Sequence, residues 1–241
     1  MILNSKIIIC AGGNGGNKWN MHLGISKHMI PVHGQPLIHR TQRQFLEKGF
    51  TNVYLACSSE NRESYLLNGI KYIQSPKCIG HVGENSCVWH YKKHIDYNST
   101  TVITYGDVYY TNEFIDVLSK DPNDKFRIYG RSDKSYLTGN WRQGEPFAIV
   151  LTKDSVAKYF KSLKQAMIVL PNLVEKCVAC YEDLEKYTYR NFVGIPYEAP
   201  GNVVEAEHWY EWNDLTDDID DPYDWQTRSK LLPHIFLHKL T

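Results

Sequence analysis

The stretch that most constrains this chain is an apolar run that ends in glycine. Ile7-Ile8-Ile9-Cys10-Ala11 leads straight into Gly12-Gly13-Asn14-Gly15-Gly16-Asn17-Lys18. β-Branched residues in an unbroken apolar run predict a buried strand. Glycine at this density costs backbone entropy, so the loop needs what only glycine offers: positive φ, and amides that approach a ligand with no Cβ in the way. A strand feeding such a turn presents N–H groups to phosphate oxygens. Lys18 and Lys27 are close enough in sequence to add positive charge to the same place, which implies a nucleoside triphosphate site. Two familiar phosphate loops do not fit. The P-loop needs Gly-Lys-Ser/Thr after four spacer residues, and the dinucleotide fingerprint Gly-x-Gly-x-x-Gly meets Lys18 where its third glycine belongs.

A second segment follows at short range: Ser26-Lys27-His28-Met29-Ile30-Pro31-Val32, then Gly34-Gln35-Pro36-Leu37-Ile38. In this order the two segments resemble the signature of the sugar-phosphate nucleotidylyltransferase family, which makes nucleotide-sugars and related activated compounds. That pattern runs strand-Ala-Gly-Gly-x-Gly-x-Arg, then Pro-Lys, Pro-Val and Gly-Lys-Pro-Leu. Ala11-Gly12-Gly13-Asn14-Gly15 matches its first part, and Lys27, Pro31-Val32 and Gly34 to Ile38 match the second. Two positions depart from it: Asn17 stands where the family has Arg, with Lys18 one place later, and Ser26 stands where it has Pro before Lys27. The resemblance implies an α/β, Rossmann-like (GT-A type) three-layer sandwich with a mostly parallel mixed sheet. It implies one domain over 1–241, with a nucleotide-binding half over 1–125 and an acceptor-binding half with a closing helix over 126–241.

Composition excludes other classes. The 241 residues hold 27 Lys plus Arg against 27 Asp plus Glu, so no basic footprint for nucleic acid or an anionic membrane is present. No run is long and apolar enough to span a bilayer, and the N-terminus has no basic segment before an apolar stretch. Six scattered cysteines favour a reducing, cytoplasmic setting. Cys177-Val178-Ala179-Cys180 lacks the second pair that structural zinc requires and falls mid-helix by pattern, so it reads as two small buried residues. No His-Glu-x-x-His and no Gly-x-Ser-x-Gly elbow is present.

In chain order, Pro36 to Gly49 predicts a helix and Val53 to Cys57 the next strand, closing a βαβ unit and hence a parallel sheet. Ile70 to Gln74 is a third strand, 76–84 a loop, and Asn85 to Ile95 a helix. The family places base and ribose contacts at such a strand-loop-helix passage, which marks Gln74, Gly80, Gly83 and Ser86. Thr101 to Tyr105 is a strong strand with Gly106-Asp107 at its carboxyl end, where open α/β sheets bind ligands. Asp107 resembles the family's metal-binding aspartate; the other reading is a turn residue before the helix 112–118, for which Asn112 is the better-placed cap. Phe126 to Tyr129 and Phe147 to Leu151 predict strands joined by a polar linker, Arg131 to Gly144. In the family this region builds the acceptor side, which marks Glu145 and Arg142, with Lys134 beside them. Ser155 to Leu163 and Leu173 to Tyr189 predict helices, and Phe192 to Tyr197 and Glu207 to Trp212 strands.

The tail, Asn213-Asp214-Leu215-Thr216-Asp217-Asp218-Ile219-Asp220-Asp221-Pro222-Tyr223-Asp224, is heavily acidic. Asp221 suits an N-cap, Pro222 the first helical position and Asp224 the helix dipole. Capping leaves Asp218 and Asp220 unexplained, and the resemblance marks Asp220 as a second metal ligand. It implies Mg²⁺ held by Asp107 and Asp220, with the nucleotide on Ala11, Gly12, Gly13, Asn14, Gly15 and Gly16. Lys18 and Lys27, with Asp107, would do the catalysis. The expected reaction transfers an NMP from CTP, UTP, GTP or dTTP to a phosphorylated acceptor such as a sugar 1-phosphate, releasing pyrophosphate. A nucleotide-sugar-dependent glycosyltransferase of related fold and a non-catalytic nucleotide-binding protein remain the alternatives, and a homo-oligomer stays open.

Overall fold

The computed structural model describes residues 2–12, 19, 22–75, 91–131, 145–161, 164, 208–219, 222–223 and 225–226. Strand β1 (Lys6–Cys10) is apolar on both faces, and both are used. Ile7 and Ile9 enter one core while Ile8 and Cys10 enter another across the sheet. This two-sided burial is why the run lacks polar alternation. Two short strands, β2 (Pro31–Val32) and β3 (Gln35–Pro36), form a hairpin after it. His33 and Gly34 at its tip both have positive φ, the condition for a two-residue turn that follows strand twist.

Around β1 stand β4 (Val53–Cys57), β5 (Lys71–Gln74) and β6 (Thr101–Tyr105), all parallel to it. A short β7 (Val108–Tyr109) precedes β8 (Arg127–Arg131), β9 (Glu145–Leu151) and β10 (Trp209–Glu211). The seven-stranded sheet runs β5-β4-β1-β6-β9-β8-β10. Only β9 is antiparallel to its neighbours, so the sheet is mixed and mostly parallel, as expected. The chain moves outward from β1 to β4 and β5, then returns to place β6 on the other side of β1. That reversal opens a crevice beyond the carboxyl ends of β1 and β6, the place where open α/β sheets take ligands.

Helices cover both faces. On one, α1 (Leu37–Glu47) buries Ile38 and Phe45, the short α2 (Arg62–Tyr65) buries Tyr65, and α3 (Asn112–Ser119) buries Phe114, Ile115 and Leu118. The rings of Tyr110, Tyr129, Phe147 and Trp212 surround Phe114 with centroids 5.2–6.1 Å away. On the other face α4 (156–161) contributes Val156, Tyr159 and Phe160. The result is the expected three-layer α/β sandwich.

Several boundaries differ from expectation. The cap of α3 is Thr111, not Asn112: the Thr111 hydroxyl accepts the Phe114 N–H at 3.0 Å. Arg131 belongs to β8 and is buried rather than part of a polar linker. Strand β9 begins two residues early, at Glu145. Residues 92–94 form a 3₁₀ turn rather than the end of an α-helix. The acidic tail contains an unforeseen strand, β11 (Asp217–Asp218), antiparallel to β7. The expected helix over 173–189, with Cys177 and Cys180, and the strand over 192–197 lie outside the described residues.

Candidate active site

Gly106, directly after β6, packs against the end of β1. Its N–H donates to the Cys10 carbonyl at 2.8 Å. A Cβ there would stand 2.9 Å from Ala11 Cβ and 2.8 Å from Ile38 Cδ1, so only glycine lets the two strand ends converge. Convergence sets Gly106 against buried Ala11 and leaves Asp107, the next residue, at the crevice. Tyr110 secures the turn from behind: its hydroxyl accepts the Tyr105 N–H at 2.9 Å and donates to the Phe147 carbonyl at 2.8 Å.

Lys27 opens a 3₁₀ turn, Lys27–Met29, and is 7% exposed, unusual for a lysine. Its Nζ lies 2.5 Å from Asp107 Oδ2, while the Asp107 side chain keeps 21% exposure. The two residues singled out from separate motifs, 80 positions apart, therefore form one ion pair at the crevice. His28 beside them is wholly buried. Burial holds its imidazole neutral, with a pKa lowered to about 4; Asp107 opposes that shift and Lys27 reinforces it.

A third apolar cluster joins the segments. It holds Trp19 from the glycine-loop region, Ile30, Val32 and Leu37 from the Lys27 motif, Tyr109 from the Asp107 segment and Ile219 from the tail, with Trp225 packed against it. Trp19 Nε1 donates to the Ile25 carbonyl at 2.7 Å, fixing the ring beneath this floor. Ile219 also donates its N–H to the Asp107 carbonyl at 3.0 Å. Asp220 is the next residue in the chain and itself lies outside the described residues. The tail is further latched by a buried ion pair, Arg131 Nη2 to Asp217 Oδ1 at 2.6 Å, and by Arg131 Nη1 donating to the Thr216 carbonyl at 3.2 Å.

Of the other expected contacts, Gln74 ends β5, two strands from β1, with an exposed side chain. Glu145 opens β9 opposite Arg131. Because β9 is antiparallel, that start lies at the crevice end of the sheet. Gly13, Asn14, Gly15, Gly16, Lys18, Gly80, Gly83, Ser86 and Arg142, and the side chain of Glu145, lie outside the described residues. Sequence reasoning passed over Trp19, His28 and the Arg131–Asp217 pair. Trp19, next to Lys18, was the one with a visible signal, a large aromatic directly after a glycine loop.

Among the described residues no three His, Cys, Asp or Glu side chains gather as a metal cage. Mg²⁺ commonly takes one or two carboxylates and completes its shell with water and phosphate oxygens. The partly open carboxylate of Asp107 is a hard oxygen donor of that kind and fits such a site. No described helix is long and apolar enough to cross a membrane.

The whole fold is similar to those of several solved structures. A protein described as a glucose-1-phosphate thymidylyltransferase from Bacillus anthracis aligns with TM-score 0.61 and 14% identity over 94% of each chain. The inositol-1-phosphate CTP transferase from T. maritima aligns with TM-score 0.59 and 14% identity over 95% of this chain and 96% of that one. CTP:phosphocholine cytidylyltransferase from Streptococcus pneumoniae aligns with TM-score 0.58 and 15% identity over 95% and 99%. No protein-family model matches the chain, and no curated protein matches it in sequence. The chain has the nucleotidyltransferase fold.

Proposed function

We propose that this protein is a Mg²⁺-dependent nucleotidyltransferase that joins an NMP to a phosphorylated small molecule and releases pyrophosphate. The Lys27–Asp107 ion pair at the crevice between β1 and β6 carries this reading. Attack by an acceptor phosphate on an α-phosphate brings anion to anion, so the chemistry asks mainly for positioning and for fixed positive charge. Lys27, buried and directed by Asp107, would neutralise charge developing at the α-phosphate and align the acceptor. Backbone amides from Gly12 to Gly16, with Lys18, would hold the β- and γ-phosphates that leave. Asp107 and Asp220 would hold the metal, which when bound offsets the repulsion between the phosphates.

The acceptor class has its own support. Glucose 1-phosphate, inositol 1-phosphate and phosphocholine, named for three proteins of this fold, are all phosphate monoesters of small polar alcohols. A phosphomonoester acceptor is therefore the class proposed here, with the acceptor side built around Glu145 and Arg142. The cytoplasm, where nucleoside triphosphates are found, is the setting proposed for it.

The test is pyrophosphate release from CTP, UTP, GTP, ATP and dTTP, each with Mg²⁺ and a panel of sugar 1-phosphates, polyol phosphates and phosphocholine. The expected result is turnover with one triphosphate and one acceptor, abolished by a chelator. Lys27→Ala is expected to lower kcat by about 10²–10³, as loss of one transition-state electrostatic contact does. No pyrophosphate from any pair, or full turnover by Lys27→Ala, would overturn the reading.

A further inference from the structure

Lys27 owes its place to a neighbour far from it in sequence. The turn Lys27–Met29 is three residues long, and a turn so short cannot by itself hold a long side chain in one place. Ser26, at its N-cap position, accepts the Met29 N–H on its carbonyl at 3.0 Å, but its side chain makes no cap bond to the turn. Its hydroxyl instead shares a hydrogen bond with the phenol of Tyr65, at the end of α2. On the other flank of Lys27, the His28 ring lies against the Tyr65 ring, centroids 5.5 Å apart. The residues on both sides of the lysine thus lean on one buried tyrosine.

Tyr65 is itself held. Gln42 of α1, fully buried, donates from Nε2 to the Tyr65 carbonyl at 2.7 Å and accepts the Leu67 N–H on Oε1 at 3.1 Å. A His39 ring nitrogen lies 2.8 Å from the Ser64 carbonyl. The ring therefore offers a fixed wall rather than a mobile one.

Resting on the reading of Lys27 given above, we propose that Tyr65 is a positioning residue for Lys27, acting through the Ser26 hydroxyl on one side and the His28 ring on the other. Lysine carries large rotamer entropy, and a displacement near 1 Å at a reacting centre costs about 10²-fold in rate. Fixing both backbone neighbours limits where the ammonium can go, and so keeps it on Asp107.

Tyr65→Phe tests this, because it removes the hydroxyl while leaving the ring and its packing. Two readouts are taken together. The first is the rate at which an amine-acylating reagent modifies Lys27, followed by peptide mass spectrometry, with Lys48 as internal reference because it is ion-paired to Asp116 on another part of the surface. The second is kcat and KM for the triphosphate. The expected result is Lys27 labelling about five- to tenfold faster with Lys48 unchanged, and kcat lower by a similar factor with KM nearly constant. Ser26→Pro in the Tyr65→Phe background is expected to restore both. Ser26 already sits at φ −71°, which proline's ring imposes, and its amide donates no hydrogen bond among the described residues. Unchanged labelling in Tyr65→Phe, equal acceleration at Lys48, or no rescue by proline would overturn the proposal. If the wild type turns over no triphosphate while labelling behaves as stated, the functional reading fails and the positioning of Lys27 stands.

Discussion

At the scale of single residues, space and charge at the crevice are set by side chains that differ by an atom or two. Gly106 is the sharpest case. Gly106→Ala would drive a methyl into contacts of 2.8 and 2.9 Å, and it is expected to destabilise by about 1–3 kcal/mol while displacing Asp107. A lowered urea midpoint together with reduced nucleotide turnover would show both effects. His28 makes the second prediction. Burial keeps it neutral down to about pH 4 in the folded chain, whereas the unfolded chain takes up a proton near pH 6.5. Between those values the unfolded state holds more protons, so stability rises with pH. Read downward, roughly 3 kcal/mol is lost as pH falls from 6.5 to 4. The variant His28→Gln is expected to flatten that limb, measured by denaturant titration without divalent cations at pH 7 and pH 4.5.

At the scale of elements, the tail is the part whose position depends most on specific polar contacts. Thr111 caps α3 and bonds the tail at the same time: its N–H donates to the Thr216 hydroxyl at 3.1 Å, and its own hydroxyl donates to Asp214. Strand β11 adds two residues of pairing to β7, which alone would be marginal. The Arg131–Asp217 pair, each side chain 1% exposed, supplies the stronger hold. A buried pair need not stabilise relative to an apolar one, but removing one partner strands the other charge in the interior. Asp217→Ala is therefore expected to cost about 3–5 kcal/mol and to release the tail from β7. Chemical denaturation would read the first effect, and faster hydrogen exchange at the Asp217 and Ile219 amides the second.

At the scale of the molecule, the strand order places the ends of β1 and β6 side by side, so a ligand bound there would stabilise the folded chain as a whole. A triphosphate with Mg²⁺ at about a hundred times its dissociation constant adds roughly 2.7 kcal/mol. For a domain of this size that is a rise in Tm of about 5–10 °C. The shift is expected for one nucleobase above the others and is expected to vanish in Asp107→Ala. Equal shifts from all triphosphates would mean that the base is not read. Among local features, the β1 run and the strand 101–105 were legible as unbroken apolar, β-branched runs, and the helix after Pro36 by its apolar stripe. Lys27 and Asp107 were legible because a motif names them. Thr111 was missed as the cap because Asn outranks Thr in that role, whereas the Thr111 hydroxyl also reaches Asp214, 103 residues away, a contact that no local pattern carries. His28 and Tyr65 were missed because what marks them is their neighbours in space.

By itself the sequence determined the βαβ start, and it marked the run of glycines after β1 and the residue types that a phosphate and a hard cation would need. Those are local matters of φ, periodicity and side-chain chemistry, and neighbours within a few residues decide them. The tertiary structure alone decided that Lys27 meets Asp107, that the tail pairs with β7, and that Arg131 and Asp217 are buried together. Each of those contacts joins segments some 80 or more residues apart, and burial is what gives it its strength. A charge pair or a hydrogen bond that would be worth little in water becomes decisive only once the chain has closed around it.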